Sequence, residues 1–250
     1  MNKIKISLVS YLNSKPFLYG LQHYKINTEM DLSLDIPSVC AQKLIDGKVD
    51  VGLIPVAVLP KLKKYYIISE YCIGSEGKVG SVMLYSNVPL PEIKNILLDY
   101  QSHTSVALVR ILGKYFWKIN PNWILAKADY ENNIVNNTAA VIIGDRTFGL
   151  ENKYLYSYDL AEEWQKFTQL PFVFACWVAN KKLPDNFIKE FNQALKYGID
   201  NRASLIAELT ENNSFPTDID IYLNQNIKYD FDDAKKKALD LFLNYMSTLD

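Results

Sequence analysis

The sequence predicts an α/β fold of two lobes, with mixed, mostly parallel sheets and a ligand cleft between the lobes. Three observations point there. Four segments share one layout, a short apolar run that stops on polar or turn residues. They are Ile4–Val9 into Ser10-Tyr11-Leu12-Asn13, Val49–Ile54 into Pro55-Val56, Ser81–Tyr85 into Ser86-Asn87, and Ala139–Ile143 into Gly144-Asp145-Arg146-Thr147. Such runs read as buried parallel strands, and ligands of open α/β sheets bind beyond the strands' carboxyl ends. Strand and helix patterns also alternate in two successive sets, and from Pro184 onward the apolar spacing turns helical.

Ile4–Val9 opens the chain as a strand, and Pro16 to about Tyr24 follows as a short helix. Leu32–Ile36 alternates like a strand. Pro37-Ser38 starts a helix through Val39, Leu44 and Ile45 that stops at Gly47, with proline and glycine where helix ends favour them. Val49–Ile54 is the third strand, and Val56–Leu62 a helical turn or two. This βαβαβ succession calls for parallel strands joined by right-handed crossovers. The second set begins with a strand over Ile93–Asp99, ending at Tyr100-Gln101-Ser102-His103. Thr104-Ser105 leads into an apolar-periodic helix to Phe116. Trp123–Leu125, Ala139–Ile143 and Phe172–Ala179 read as strands, and Asp159–Trp164 as a short helix. Phe187, Phe191, Ala194, Leu195 and Ile199 recur at helical spacing. Past Asn212–Pro216 come a short helix near Ile219–Asn224 and an amphipathic one from Asp232 to Met246. The tail is expected to pack on the lobe made first. Lobe I is then residues 1–86 with 173–250, lobe II is residues 87–172, and two crossings let them close like a hinge.

Composition excludes several classes. Across 250 residues, 27 Lys and Arg balance 28 Asp and Glu, which leaves no electrostatic footprint for nucleic acid or an anionic membrane. No apolar run approaches the ~18 residues of a membrane span. The run after Lys3 is too short for an export signal, so a cytoplasmic protein is expected. Cys40, Cys72 and Cys176 are odd in number and far apart, which predicts buried reduced thiols and no metal site. The 17 Tyr and 11 Phe are enough to wall a pocket for a flat ligand as well as fill cores.

Five segments then suggest a family. Val9-Ser10-Tyr11-Leu12-Asn13-Ser14-Lys15-Pro16, Asp50–Val56, Ser81–Ser86, Leu98–Leu108 and Ala140–Asp145 resemble, in order, the chorismate dehydratase (MqnA) family of the futalosine route to menaquinone. The resemblance implies a periplasmic-binding-protein type II fold used by an enzyme with no metal or organic cofactor. It implies loss of water from chorismate, the small-molecule substrate, to give 3-[(1-carboxyvinyl)oxy]benzoate. The 1,4-dihydroxy-6-naphthoate synthases of the same pathway share the fold and some motifs. The Ser-Tyr-Leu-Asn start and the Ser-x-Thr-Ser segment look more like the dehydratase. A non-catalytic solute-binding protein is the third reading, against which the lack of an export signal argues.

Candidate site residues follow from strand ends and helix starts. Ser102, Thr104 and Ser105 sit where backbone N–H groups and a positive helix end gather, which suits an anion as well as a cap. Ser38 has the same two readings. Ser10, Tyr11 and Pro55 belong to strand-end clusters, and Ser86 serves either a turn or a ligand. Asn13 offers amide donors and an acceptor; it is a turn former before Pro16 or, as the resemblance favours, a ligand contact. Arg146 suits bidentate carboxylate binding or an ion pair with Asp145 or another acid, and Asp145 has a second reading as a local cap. For the proton, two routes stay open: His103 in the Ser102–Thr104 loop, or a carboxylate of the substrate itself.

Overall fold

The computed structural model describes residues 3–211 and 215–249; the expected linker residues Asn212, Asn213 and Ser214 lie outside them. In chain order the elements are β1 (Ile4–Val9), α1 (Lys15–His23), β2 (Met30–Asp35), α2 (Pro37–Ile45), β3 (Val51–Pro55), β4 (Tyr66–Ser75), β5 (Val82–Ser86) and β6 (Asn95–Leu98). Then come α3 (His103–Ile111), β7 (Asn122–Leu125), β8 (Thr138–Ile143), β9 (Tyr156–Asp159), α4 (Leu160–Thr168), β10 (Phe172–Ala179) and α5 (Asp185–Asp200). The chain ends with α6 (Arg202–Glu211), α7 (Ile219–Ile221), β11 (Lys228–Asp230) and α8 (Asp233–Met246).

Two sheets result. The six-stranded sheet runs β11-β4-β10-β3-β1-β2, with β1 parallel to β2 and β3, as the βαβαβ pattern predicts. β10 lies antiparallel between β3 and β4 and is buried along its whole length, which is why its sequence is an unbroken apolar run. The five-stranded sheet runs β7-β6-β8-β5-β9. There β6 is parallel to β7 and β8, but β5 is antiparallel to both of its neighbours.

Three strands escape the sequence pattern: β4 interrupts its apolar residues with Ser69 and Glu70, while β9 and β11 are short, lie at sheet edges and are largely polar. The reversal of β5 matters more. An apolar run states burial, not direction, so the expected placement of Ser86 at the cleft fails. The chain changes sheets between Ser75 and Val82, before the expected boundary at residue 86, and returns at Phe172.

A buried carboxylate ties both crossings together. Asp159 accepts from the N–H groups of Val79 (2.9 Å) and Gly80 (2.6 Å) with one oxygen, and from Ala161 and Glu162 at the start of α4 with the other. On the outer face, α1 meets α5 so closely that a Cβ on Gly20 would lie 1.9 Å from the Ala194 carbonyl oxygen. Glycine is the residue that permits this approach. Cys40, Cys72 and Cys176 are buried and unpaired. Among the described residues no helix is long and apolar enough to cross a membrane.

Candidate functional site

A narrow crevice lies between the two sheets. It is reached by the carboxyl ends of β1, β3 and β8 and by the amino end of β5. Its cavity volume is ≈ 50 Å³, room for little more than a few waters. Tyr11 and Asn13 enter from the turn after β1, Pro55 from the end of β3, and Ser81 and Val82 from the start of β5. Ser102, Thr104 and Ser105 come from the first turn of α3, Gly144 from the end of β8, and Phe174 and Ala175 from β10.

Local geometry explains these positions. Ser102 is the N-cap of α3: its Oγ accepts from the Ser105 N–H at 3.0 Å and donates to Ser105 Oγ at 2.8 Å. Thr104 Oγ1 donates to the Phe174 carbonyl (3.1 Å) and accepts from the Ala57 N–H (3.2 Å), so it joins α3 to the six-stranded sheet. Gly144 has φ +63, and a Cβ there would meet the Tyr11 ring at 2.8 Å. Both the left-handed backbone and the ring beside it require glycine. The Tyr11 hydroxyl donates to Gln101 Oε1. Asn13 lines the crevice, and its Oδ1 is buried with no hydrogen-bond partner among the described residues. Ser81 Oγ accepts from the Tyr222 hydroxyl at 2.8 Å.

Among the described side chains lining the crevice, Tyr11 is the one ionisable group. Burial pushes its phenol pKa well up, Arg146 opposes this, and Asp99 and Asp145 add to it. Tyr11 is therefore a neutral hydroxyl donor at pH 7. The lining presents hydroxyls, an amide and a helix N-terminus, all able to meet an anion without a cation.

A family model described as "Menaquinone biosynthesis" matches residues 4–248. The chain belongs to this menaquinone-biosynthesis family. The solved structures it is similar to have the periplasmic-binding-protein fold. One, from Archaeoglobus fulgidus, shares 13% identity with a TM-score of 0.72, covering 98% of this chain and 96% of that one. An ABC transporter protein from Parabacteroides distasonis shares 17% identity at a TM-score of 0.67, covering 100% and 94%. A Candida albicans protein described as having the generic periplasmic binding protein fold shares 12% identity at 0.66, covering 100% and 91%. These identities speak for the fold, and the family membership speaks for menaquinone biosynthesis.

For this family member, the crevice gathers Tyr11, Asn13, Pro55, Ser102, Thr104 and Ser105 from among the residues the sequence singles out. Six others lie elsewhere. Ser86 sits at the far end of β5, where its Oγ bonds the Val88 carbonyl and N–H in a turn. Ser10 is exposed. Ser38 neither caps α2 nor lines the crevice; Ile36 is the N-cap, and Pro37 supplies the lining. Asp145 receives the Leu12 N–H at 3.0 and 3.2 Å, a link between the turn after β1 and the end of β8. Burial raises its pKa, and that N–H bond lowers it. Arg146 turns away to Asp99 and, at 2.8 Å, to Glu131. Burial alone would lower its pKa, but Asp99 and its neighbours raise it further, so it stays charged in an internal pair. His103 is the first residue of α3, with an exposed side chain outside the crevice lining. Surrounding protein, then the Lys61 charge, lower its pKa.

Sequence reasoning missed Ser81 because it looked beyond the carboxyl end of β5. It missed Tyr222 because the helical tail offered no strand end to inspect.

Proposed function

We propose that this chain is a chorismate dehydratase, acting in the cytoplasm on chorismate to give 3-[(1-carboxyvinyl)oxy]benzoate and water, with no metal or organic cofactor. The lining of the crevice carries this reading. It offers hydroxyls, one amide, apolar surface and the start of α3, and among the described residues that line it there is no carboxylate, histidine or lysine. Such a wall suits a dianion held by neutral donors and brings no strong base of its own.

The reaction can supply that base. A proton leaves the ring carbon bearing the ether oxygen, hydroxide leaves the neighbouring carbon, and the two depart as water while the ring becomes aromatic. A carboxylate of the bound substrate takes the proton, and the protein contributes orientation and exclusion of solvent. Ser102, Ser105 and the N-terminal end of α3 hold a carboxylate. Asn13 orients the ring hydroxyl through its unpartnered oxygen, and Ser81 donates to that oxygen as negative charge builds on it.

Incubating the purified protein with chorismate tests the reading. The expected product is an aromatic enol ether, seen by ultraviolet absorbance and by a mass lower by one water. Tight chorismate binding without product would replace the reading with a solute-binding protein. Neither binding nor product would favour a different cyclic substrate, as in the naphthoate synthase relatives.

A further inference from the structure

The C-terminal segment reaches the crevice from behind. Tyr222 is buried (2% exposed), packs edge-on against Phe148 with ring centroids 5.1 Å apart, and donates its hydroxyl to Ser81 Oγ at 2.8 Å. Ser81 is itself 1% exposed and lines the crevice. Its oxygen makes no other side-chain hydrogen bond among the described residues, so its own hydrogen is left to point at whatever occupies the crevice. Farther along the same segment, Tyr229 donates its hydroxyl to the Asn13 carbonyl at 3.0 Å. Two tyrosines of the tail thus brace the crevice wall, Tyr222 at the Ser81 side chain and Tyr229 at the Asn13 main chain.

We infer that Tyr222 is a positioning residue of this site: by donating to Ser81 it fixes the serine as a one-way donor into the crevice, toward the oxygen that leaves the substrate. Removing the tyrosine hydroxyl frees Ser81 Oγ to rotate and to accept instead of donate. In a hydrogen-bonded chain the outer donor also polarises the inner one. This inference rests on the dehydratase reading.

The test is a double-mutant cycle on chorismate turnover with Tyr222→Phe and Ser81→Ala. Tyr222→Phe should lower kcat about tenfold, move KM by less than about threefold, and change kcat by less than about twofold once Ser81 is alanine. Asn226→Ala perturbs the same segment through its contact with the Val79 carbonyl. It should leave kcat unchanged. Equal losses from Tyr222→Phe in both backgrounds overturn the inference, as does an effect confined to KM. So does an equal loss from Asn226→Ala, which would mark a packing effect. Wild-type protein that yields no product from chorismate refutes the dehydratase reading, and this inference with it. Active wild type with an unaffected Tyr222→Phe variant refutes the inference alone.

Discussion

Asp99 has no exposed side-chain surface and is held by the Gln101 N–H, the Tyr130 hydroxyl and Arg146. Removing Arg146 would leave that carboxylate buried and unpaired. Arg146→Met is expected to lower stability by about 3–5 kcal/mol, read as a shift in the urea midpoint. A shift below about 1 kcal/mol would mean that the pair is replaceable. Gly144→Ala strains a positive φ and pushes on the Tyr11 ring, so stability should fall by roughly 1–3 kcal/mol, and turnover should fall with it. His103 lies outside the crevice, so His103→Ala should keep turnover within about threefold, whereas loss of a true proton-transfer group typically removes ~10²–10⁴. A loss of that size with retained binding would restore His103 as the base.

At the scale of elements, Asp159 joins the outgoing crossing to the start of α4, next to the return. Burial pushes its carboxyl up to about 6, against four backbone N–H groups that favour the anion. The folded state therefore holds this proton more tightly than the unfolded chain, whose carboxyl titrates near the ordinary value of about 3.9. Stability should fall as pH rises from about 4 to about 6, by ~2–3 kcal/mol from this group, and stay flat above. Thermal unfolding across that range checks the sign: Asp159→Asn should flatten the dependence. The variant should also be less stable at pH 7, because an amide cannot accept at both of its ends. Sequence alone made β3, β8 and β10 readable because a strand buried on both faces is nearly continuous in apolar residues, and β1 because its apolar run is broken only by exposed Lys5 and buried Ser7. It made Ser102, Thr104 and Ser105 readable as crevice lining because anion sites favour helix starts, whereas Asn13 was separable from a turn former only through the family resemblance. It could not reveal the direction of β5, since apolar residues in a strand look alike read either way. That one ambiguity moved the expected contact from Ser81 to Ser86. Arg146 stayed open between a ligand carboxylate and an ion pair for a related reason: its partners Asp99 and Glu131 are remote in sequence and become neighbours only in the fold.

For the whole molecule, a crevice of ≈ 50 Å³ is far smaller than the ~300 Å³ or more of a typical small-molecule site, so the sheets are expected to part when substrate enters. Opening would break the links from Leu12 N–H to Asp145 and from Ala57 N–H to Thr104. Small-angle scattering should show the free protein with a larger radius of gyration than the protein saturated with the benzoate product. Equal radii would argue that entry needs only local side-chain movement. The strand order has a consequence for biosynthesis. As the ribosome delivers the chain, β3 and β4 appear early, yet the strand that belongs between them, β10, emerges only after all of the other sheet. Until then β3 is bare on one side and β4, whose other neighbour β11 comes later still, is bare on both, a natural target for chaperones and for misassembly. The five-stranded sheet, drawn wholly from Val82–Asp159, can form during that wait, so the half of the molecule begun first is the half finished last.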